Sequence, residues 1–400
     1  MNMENCSRHL VLAGTVLVLA VGCASVPERN PLPTELADSA TVKDVEHARY
    51  WGDEVPYYAD EFFAMSREET REEFPALFGN QHYYLAISGG GAGGAFGAGL
   101  LKGWTEAGNR PEFQLVTGIS TGALTAPFAF LGSEYDHVLE EIYTNYSTRD
   151  LLKKRKPIHA FTGDSMYSTQ EFAELIARYY DEEILEALAA EAKKGRVLNI
   201  GTTNLDLERP VVWRISAIAA SDRPDRLELI HRIILASAAI PVAFPPVPIE
   251  VEANGRSYDE LHVDGGTSSQ VFLYPTTVDW AKVLEKLESP SDPKVFVIRN
   301  SRVDPHAVNV NRKLLPIASR SIEALIRSQG VGDLYRIFSM AERDGLEFNL
   351  AYIPASFDEM PQELFDPVWM RKLFDLGYEM GKSGSPWKKK PPQYVVDDDD

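Results

Sequence analysis

The chain has 400 residues, a formal net charge of −19 and two cysteines, Cys6 and Cys23. That length supports a substantial core, one large domain with additions, while the acidity makes nucleic acid a poor partner and attraction to anionic headgroups weak. Membrane contact is therefore expected from an acyl anchor or apolar patches, and disulfides are not expected in the fold.

In chain order, the first signal is the apolar run Leu10 to Gly22, preceded by Arg8. It is short for a membrane span of about 20 residues but fits the roughly 7–15-residue core of a signal peptide. It ends in Ala20-Val21-Gly22-Cys23, which resembles a bacterial lipobox, with Ala20 where Leu is commoner. The reading is a signal peptide over 1–22, cleavage before Cys23 and a diacylglycerol on that residue. Ala24 rather than Asp after Cys23 then directs the protein to the outer membrane of a Gram-negative envelope. A plain secretory signal, giving a soluble periplasmic or secreted protein, and an uncleaved anchor are the alternatives. Residues 23–80 read as a tether, rich in proline from Ser25 to Pro33, followed by a helical segment.

Next, the β-prone run Tyr83 to Ser88 enters Gly89-Gly90-Gly91-Ala92-Gly93-Gly94, and a small-residue helix follows through Leu100, Leu101 and Trp104. Backbone N–H groups at such a helix start suit negative charge, including the oxyanion of acyl transfer. A second strand, Phe113 to Thr117, leads into Gly118-Ile119-Ser120-Thr121-Gly122. Strand, small-residue turn and helix-compatible segment describe a nucleophile elbow carrying Ser120, with Gly118 and Gly122 keeping the turn uncrowded. Helices are predicted over Gln170–Tyr180 and Asp181–Lys193, strands over Val197–Thr203 and Val211–Ile215, and a helix over Ile230–Ala239. The proline-stopped run Ile240 to Pro246 reads as a buried crossing or an acyl-pocket wall. The short alternating run Leu261-His262-Val263-Asp264 ends in Gly265 and Gly266, which let the chain turn and present the carboxylate inward. A strand at Lys294–Arg299 precedes a mostly helical stretch over 312–382, with a strand near Phe348 to Ile353. Residues 386–400, with their lysines, prolines and terminal aspartates, read as a disordered tail.

The glycine-rich loop, the Ser120 pentapeptide and Asp264-Gly265-Gly266, in this order, resemble the patatin-like phospholipase family of serine acyl hydrolases. The resemblance implies an α/β, three-layer patatin-like fold, a central mostly parallel sheet with helices on both faces. It places the catalytic domain at 81–300 and a mainly helical extension of it at 301–385. It also implies a Ser120–Asp264 dyad, an oxyanion hole from Gly89 to Gly94, no cofactor or metal, and a lipid or ester substrate. One departure is Gly93, where many family members carry Arg or Lys.

Other readings remain at this stage. Gly89, Gly91 and Gly94 satisfy G-x-G-x-x-G after a strand, but the acid a dinucleotide needs at the end of the second strand is missing, so no nucleotide is expected. A purely structural glycine turn is a third reading. A serine triad would need a histidine: His306 lies in a polar stretch, His231 in an apolar helix, and His262 shares a strand face with Asp264. His262 either orients the carboxylate, lines the pocket or is a satisfied strand histidine. A dyad sets a demand, because a carboxylate with an ordinary pKa near 4 is a weak base, so Asp264 must be desolvated. A general carboxylesterase or serine peptidase with the same nucleophile, and a non-catalytic envelope lipoprotein on a hydrolase scaffold, are the alternative functions.

Overall fold

Strand runs that alternate their side chains between two covered faces organise the protein. The computed structural model describes residues 29–155, 164–290, 292–384 and 386–394, and the expected signal peptide and Cys23 lie outside them. The sheet strands are β1 (Arg49–Trp51), β2 (Tyr83–Ile87), β3 (Leu115–Ile119), β4 (Val197–Asn204), β5 (Arg209–Arg214), β6 (Val247–Ala253), β7 (Arg256–Asp264), β8 (Lys294–Arg302) and β9 (Glu347–Ile353). Their order is β1-β5-β4-β3-β2-β8-β9, with β7 pairing both β4 and β6. The run β4-β3-β2-β8-β9 is parallel. The pairs β1–β5, β5–β4, β4–β7 and β6–β7 are antiparallel.

Both faces of the parallel strands are buried, as βαβ connections require. Leu85, Ile87, Val116, Leu198, Ile200 and Ile298 face one core, packed by helices α1 (Gly94–Glu106), α2 (Thr121–Leu131), α3 (Asp136–Thr144), α4 (Gln170–Tyr179), α5 (Glu182–Ala192), α6 (Ile215–Ala220) and α7 (Arg226–Ser237). Tyr84, Ala86, Leu115, Val295, Val297 and Leu350 face the other, covered by Leu334, Ile337, Phe338 and Ala341 of α8 (Leu314–Asp344). The expected layered sheet forms, with an antiparallel flank added to its parallel centre. The last helix, α9 (Pro367–Lys382), packs Met370, Leu373 and Phe374 into the first core, so the C-terminal part is built into both layers.

Three segments differ from the sequence reading. The hairpin β6–β7 was not anticipated beyond Leu261–Asp264, although Asn254-Gly255 turns it with φ of 50° and 71°, the preferred geometry for a two-residue hairpin turn. Residues 29–33, read as part of the tether, are held: Arg29 bonds Asp206 and Asp259, and Asn30 donates to Asp259 and Ser257. Residues 386–394, assigned to the disordered tail, pack as well. Trp387 sits 4.6 Å from the Trp104 ring, Lys388 exchanges backbone bonds with Leu350, and Tyr394 meets Phe338. Apolar aromatics between the lysines outweigh the charge run there. Residues 395–400 lie outside the described chain.

Candidate active site

The site forms where two strands share one edge of β4. β3 pairs with it up to Ile119–Gly201, and β7 takes over from Thr202–Asp264. The residue after β3 is Ser120 and the last residue of β7 is Asp264, so this register alone brings them side by side. Ser120 opens α2 with φ 55° and ψ −121°, a region that non-glycine residues rarely occupy. Its N–H is tied down by Ser237 Oγ at 3.0 Å, which in turn donates to Gly201 O at 2.6 Å. Ser120 Oγ donates to Asp264 Oδ2 at 2.7 Å. Asp264 Oδ1 accepts from Gly266 N at 2.7 Å.

Both side chains are buried, each residue only 6% exposed. Burial lifts the Asp264 pKa to about 6, against the opposing bonds from Ser120 and Gly266. This meets the demand for a desolvated carboxylate. Gly118 and Gly122 lie against each other in the elbow, and Gly265 abuts Gly201.

The glycine loop splits into engaged and free donors. Gly89 N–H donates to Gln270 O, and Gly93 N–H to Gly90 O. Gly94 N–H is directed at the Gly91 and Ala92 carbonyls. The N–H groups of Gly90, Gly91 and Ala92 have no acceptor among the described residues. Gly91 adopts φ 54° and lines the same cavity as Ser120. Of the six loop residues expected to form an oxyanion hole, three therefore present free donors. Gly93 also explains its own departure, because a Cβ there would collide with Asn300 O.

Sequence reasoning missed the residue that holds this loop. Buried Asn300 of β8 donates from Nδ2 to Ser88 O at 3.0 Å, accepts from Gly97 N at 3.1 Å, and receives no signal from spacing or motif. Its own N–H donates to Ser88 Oγ at 2.8 Å.

The histidines stand apart. His262 is buried and bonds Thr202 Oγ1 at 2.9 Å and Glu260 at 3.2 Å, and no bond joins it to Asp264 among the described residues. It belongs to a buried charge cluster in which Arg49 bonds Glu260. Burial alone would raise Glu260, but Arg49 and His262 hold its pKa at about 2. His231 bonds Tyr180 O, and His306 bonds Arg302.

Beside Ser120 lies a cavity of about 40 Å³ walled by Leu124, Ile142, Leu151, Phe172, Leu175, Ile240, Phe244, Phe365 and Met370. The Ile240–Pro246 run thus supplies two of its walls, and Val242 between them carries a strained φ of 71°. Typical ligand pockets are about 300–1,000 Å³, so a long chain enters only if these side chains part. A larger cavity of about 340 Å³, between Val211, Phe272 and Met340, touches neither reacting side chain.

A family model described as patatin-like phospholipase matches residues 85–276, which include Ser120, Asp264 and the glycine loop. Among solved structures, VipD from Legionella pneumophila is similar at 12% identity and TM-score 0.36, over 76% of this chain and 66% of that one. ExoU from the type III secretion system of Pseudomonas aeruginosa, solved with SpcU, is similar at 14% identity and TM-score 0.30, over 76% and 52%. The chain thus spans just under two thirds of the first and about half of the second. No curated protein matched. Residues 85–276 are a patatin-like phospholipase domain.

Proposed function

We propose that Ser120 is the nucleophile and Asp264 the base of a two-residue hydrolase that cleaves acyl esters of phospholipids. The observation that carries this reading is the 2.7 Å bond from the strained Ser120 hydroxyl to a buried carboxylate. A base within hydrogen-bond reach is what a serine hydroxyl needs to become nucleophilic, and a pKa of about 6 suits it to work near neutrality.

In the first half-reaction Ser120 Oγ bonds the ester carbonyl carbon while its proton passes to Asp264 Oδ2. The carbonyl electron pair moves onto oxygen, where the N–H groups of Gly90, Gly91 and Ala92 receive it. Donors of this kind contribute on the order of 3 kcal/mol each to the transition state. Re-forming the carbonyl expels the alcohol, which takes the proton from Asp264. Water then attacks acyl-Ser120, giving its proton to Asp264, and the second collapse returns that proton to Ser120.

The apolar wall of the cavity beside Ser120 supports an acyl chain as the group bound there. Sequence alone supports export and lipidation at Cys23, which would hold the enzyme at the outer membrane. Phospholipid hydrolysis in mixed micelles tests the substrate class. Fatty acid release by the wild type, lost in Ser120→Ala, is the expected result. Cleavage of short soluble esters with no phospholipid release would overturn the lipid assignment, leaving a general carboxylesterase.

A further inference from the structure

We propose that the projecting first half of α8 is a docking surface for a phospholipid bilayer, set beside the dyad. Its length is the first observation. α8 has 31 residues against 7 in the strand β9 that follows it, about 46 Å of helix against about 23 Å of strand. The surplus lies at its N-terminal end, where residues 317–326, Arg320 apart, are exposed. That end follows β8 and therefore projects past the C-terminal edge of the parallel strands, the edge that carries Ser120.

The exposed half is amphipathic. Leu314, Ala318, Ile322, Leu325 and Ile326 share one side at helical spacing, with Ser319, Arg320, Glu323 and Arg327 on the other. Leu314 is 82% and Leu325 69% exposed, a contiguous apolar stripe rather than the scattered single residues normal on a surface. Among the described residues no helix is long and apolar enough to cross a membrane. A helix with this pattern lies along an interface instead.

Charge selects the occupant. The chain is −19 overall, yet between Pro305 and Arg327 there are four cations, Arg312, Lys313, Arg320 and Arg327, against the single acid Glu323. Arg312 and Lys313, both exposed and directly ahead of Leu314, put their charge at the end of the apolar stripe, where it complements anionic headgroups over acyl chains, while Arg320 and Arg327 lie on the far side of the helix.

The stripe is also joined to the chemistry. One turn beyond Ile326, Gln329 Oε1 accepts from Gln270 Nε2, and Asp333 accepts from Gln270 N at 2.6 Å. Gln270 Nε2 donates equally to Gly266 O at 2.7 Å, in the turn that bonds Asp264. A bilayer seated on α8 would hold lipid next to the end of the sheet where that turn lies. The inference draws on the phospholipid reading above for its substrate, but its test needs no turnover.

The test uses the full chain with Cys6→Ser and Cys23→Ser, and a single Leu325→Cys labelled with a polarity-sensitive fluorophore. Vesicles of phosphatidylcholine with phosphatidylglycerol should blue-shift the label and shield it from aqueous iodide, while a label at Glu323→Cys should change little. No shift at residue 325 overturns the proposal. So does a shift present without vesicles, whether it rises with protein concentration, as a second copy would give, or not. In the unlabelled chain, Leu325→Glu should lower turnover of vesicle phospholipid about tenfold and leave a soluble monomeric ester unaffected. Equal loss on both substrates would overturn it. If the wild type shows no phospholipid turnover at all, the function assignment fails and the label still decides the surface.

Discussion

Asp264→Asn should cut activity steeply and at the same time stabilise the protein, in a pH-dependent way. The carboxyl is buried and its pKa stands at about 6 rather than 3.8. A carboxyl whose folded pKa is raised binds its proton more tightly in the folded state, so the native protein pays nothing below the unfolded value. The penalty grows as pH rises from about 4 to about 6 and is complete above that, on the order of 3 kcal/mol. Asparagine is uncharged, accepts from Gly266 N through its oxygen and can donate to Ser120 Oγ, so neither neighbour is left unmet. The variant should therefore match the wild type in urea unfolding at pH 4 and exceed it by up to about 3 kcal/mol at pH 8. Its kcat should fall about 10²–10⁴-fold, the usual contribution of a positioned base. In the wild type, kcat/KM should climb through pH 6, reaching at pH 5 about a tenth of its plateau. Equal stability differences at both pH values, or a profile flat from pH 5 to 8, would refute the desolvated-base argument.

Three further outcomes follow from the same geometry. Asn300→Ala leaves the buried Ser88 O and Gly97 N unmet, at about 1–3 kcal/mol each, and should lower kcat more than it raises KM, read by steady-state kinetics beside thermal melts. Gly93→Arg, which places a cation beside the glycine loop, should reduce activity and cost about 1–3 kcal/mol by overpacking against Asn300 O; a gain in kcat would count against the backbone-only oxyanion site. Glu260→Gln strands Arg49 in the interior and should cost about 3–5 kcal/mol in urea unfolding, while the Ser120–Asp264 bond, four residues further along the strand, survives.

Much of this architecture was legible because it is local. The strand–glycine–helix order around Gly89 and Ser120 needs only short-range rules, β2 and β3 fall within two residues of where alternation put them, and α1 contains the Leu100–Trp104 stretch read as helical. The readable signal of Asn254-Gly255 between two alternating runs was passed over, which cost the hairpin β6–β7. What stayed hidden is long-range. The resemblance paired Ser120 with Asp264, but what brings them together across 144 residues, β3 and β7 sharing one edge of β4, is a register no motif records. Asn300, Ser237 and Gln270 act through hydrogen bonds from distant elements, and polar residues of these types carry no mark that separates a clamp from a loop. His262 shares a strand face with Asp264, but the sequence favoured a strand histidine satisfied by a neighbour, and the buried pairing with Glu260, itself bonded to Arg49, makes it one.

The central claim is that Ser120 is activated by Asp264 in the folded site. A fluorophosphonate probe followed by peptide mass spectrometry tests it most directly. The adduct should fall on Ser120, form fastest above pH 6, vanish in Ser120→Ala and slow strongly in Asp264→Asn. A wild type that does not label, or an adduct that persists in Ser120→Ala, would contradict it.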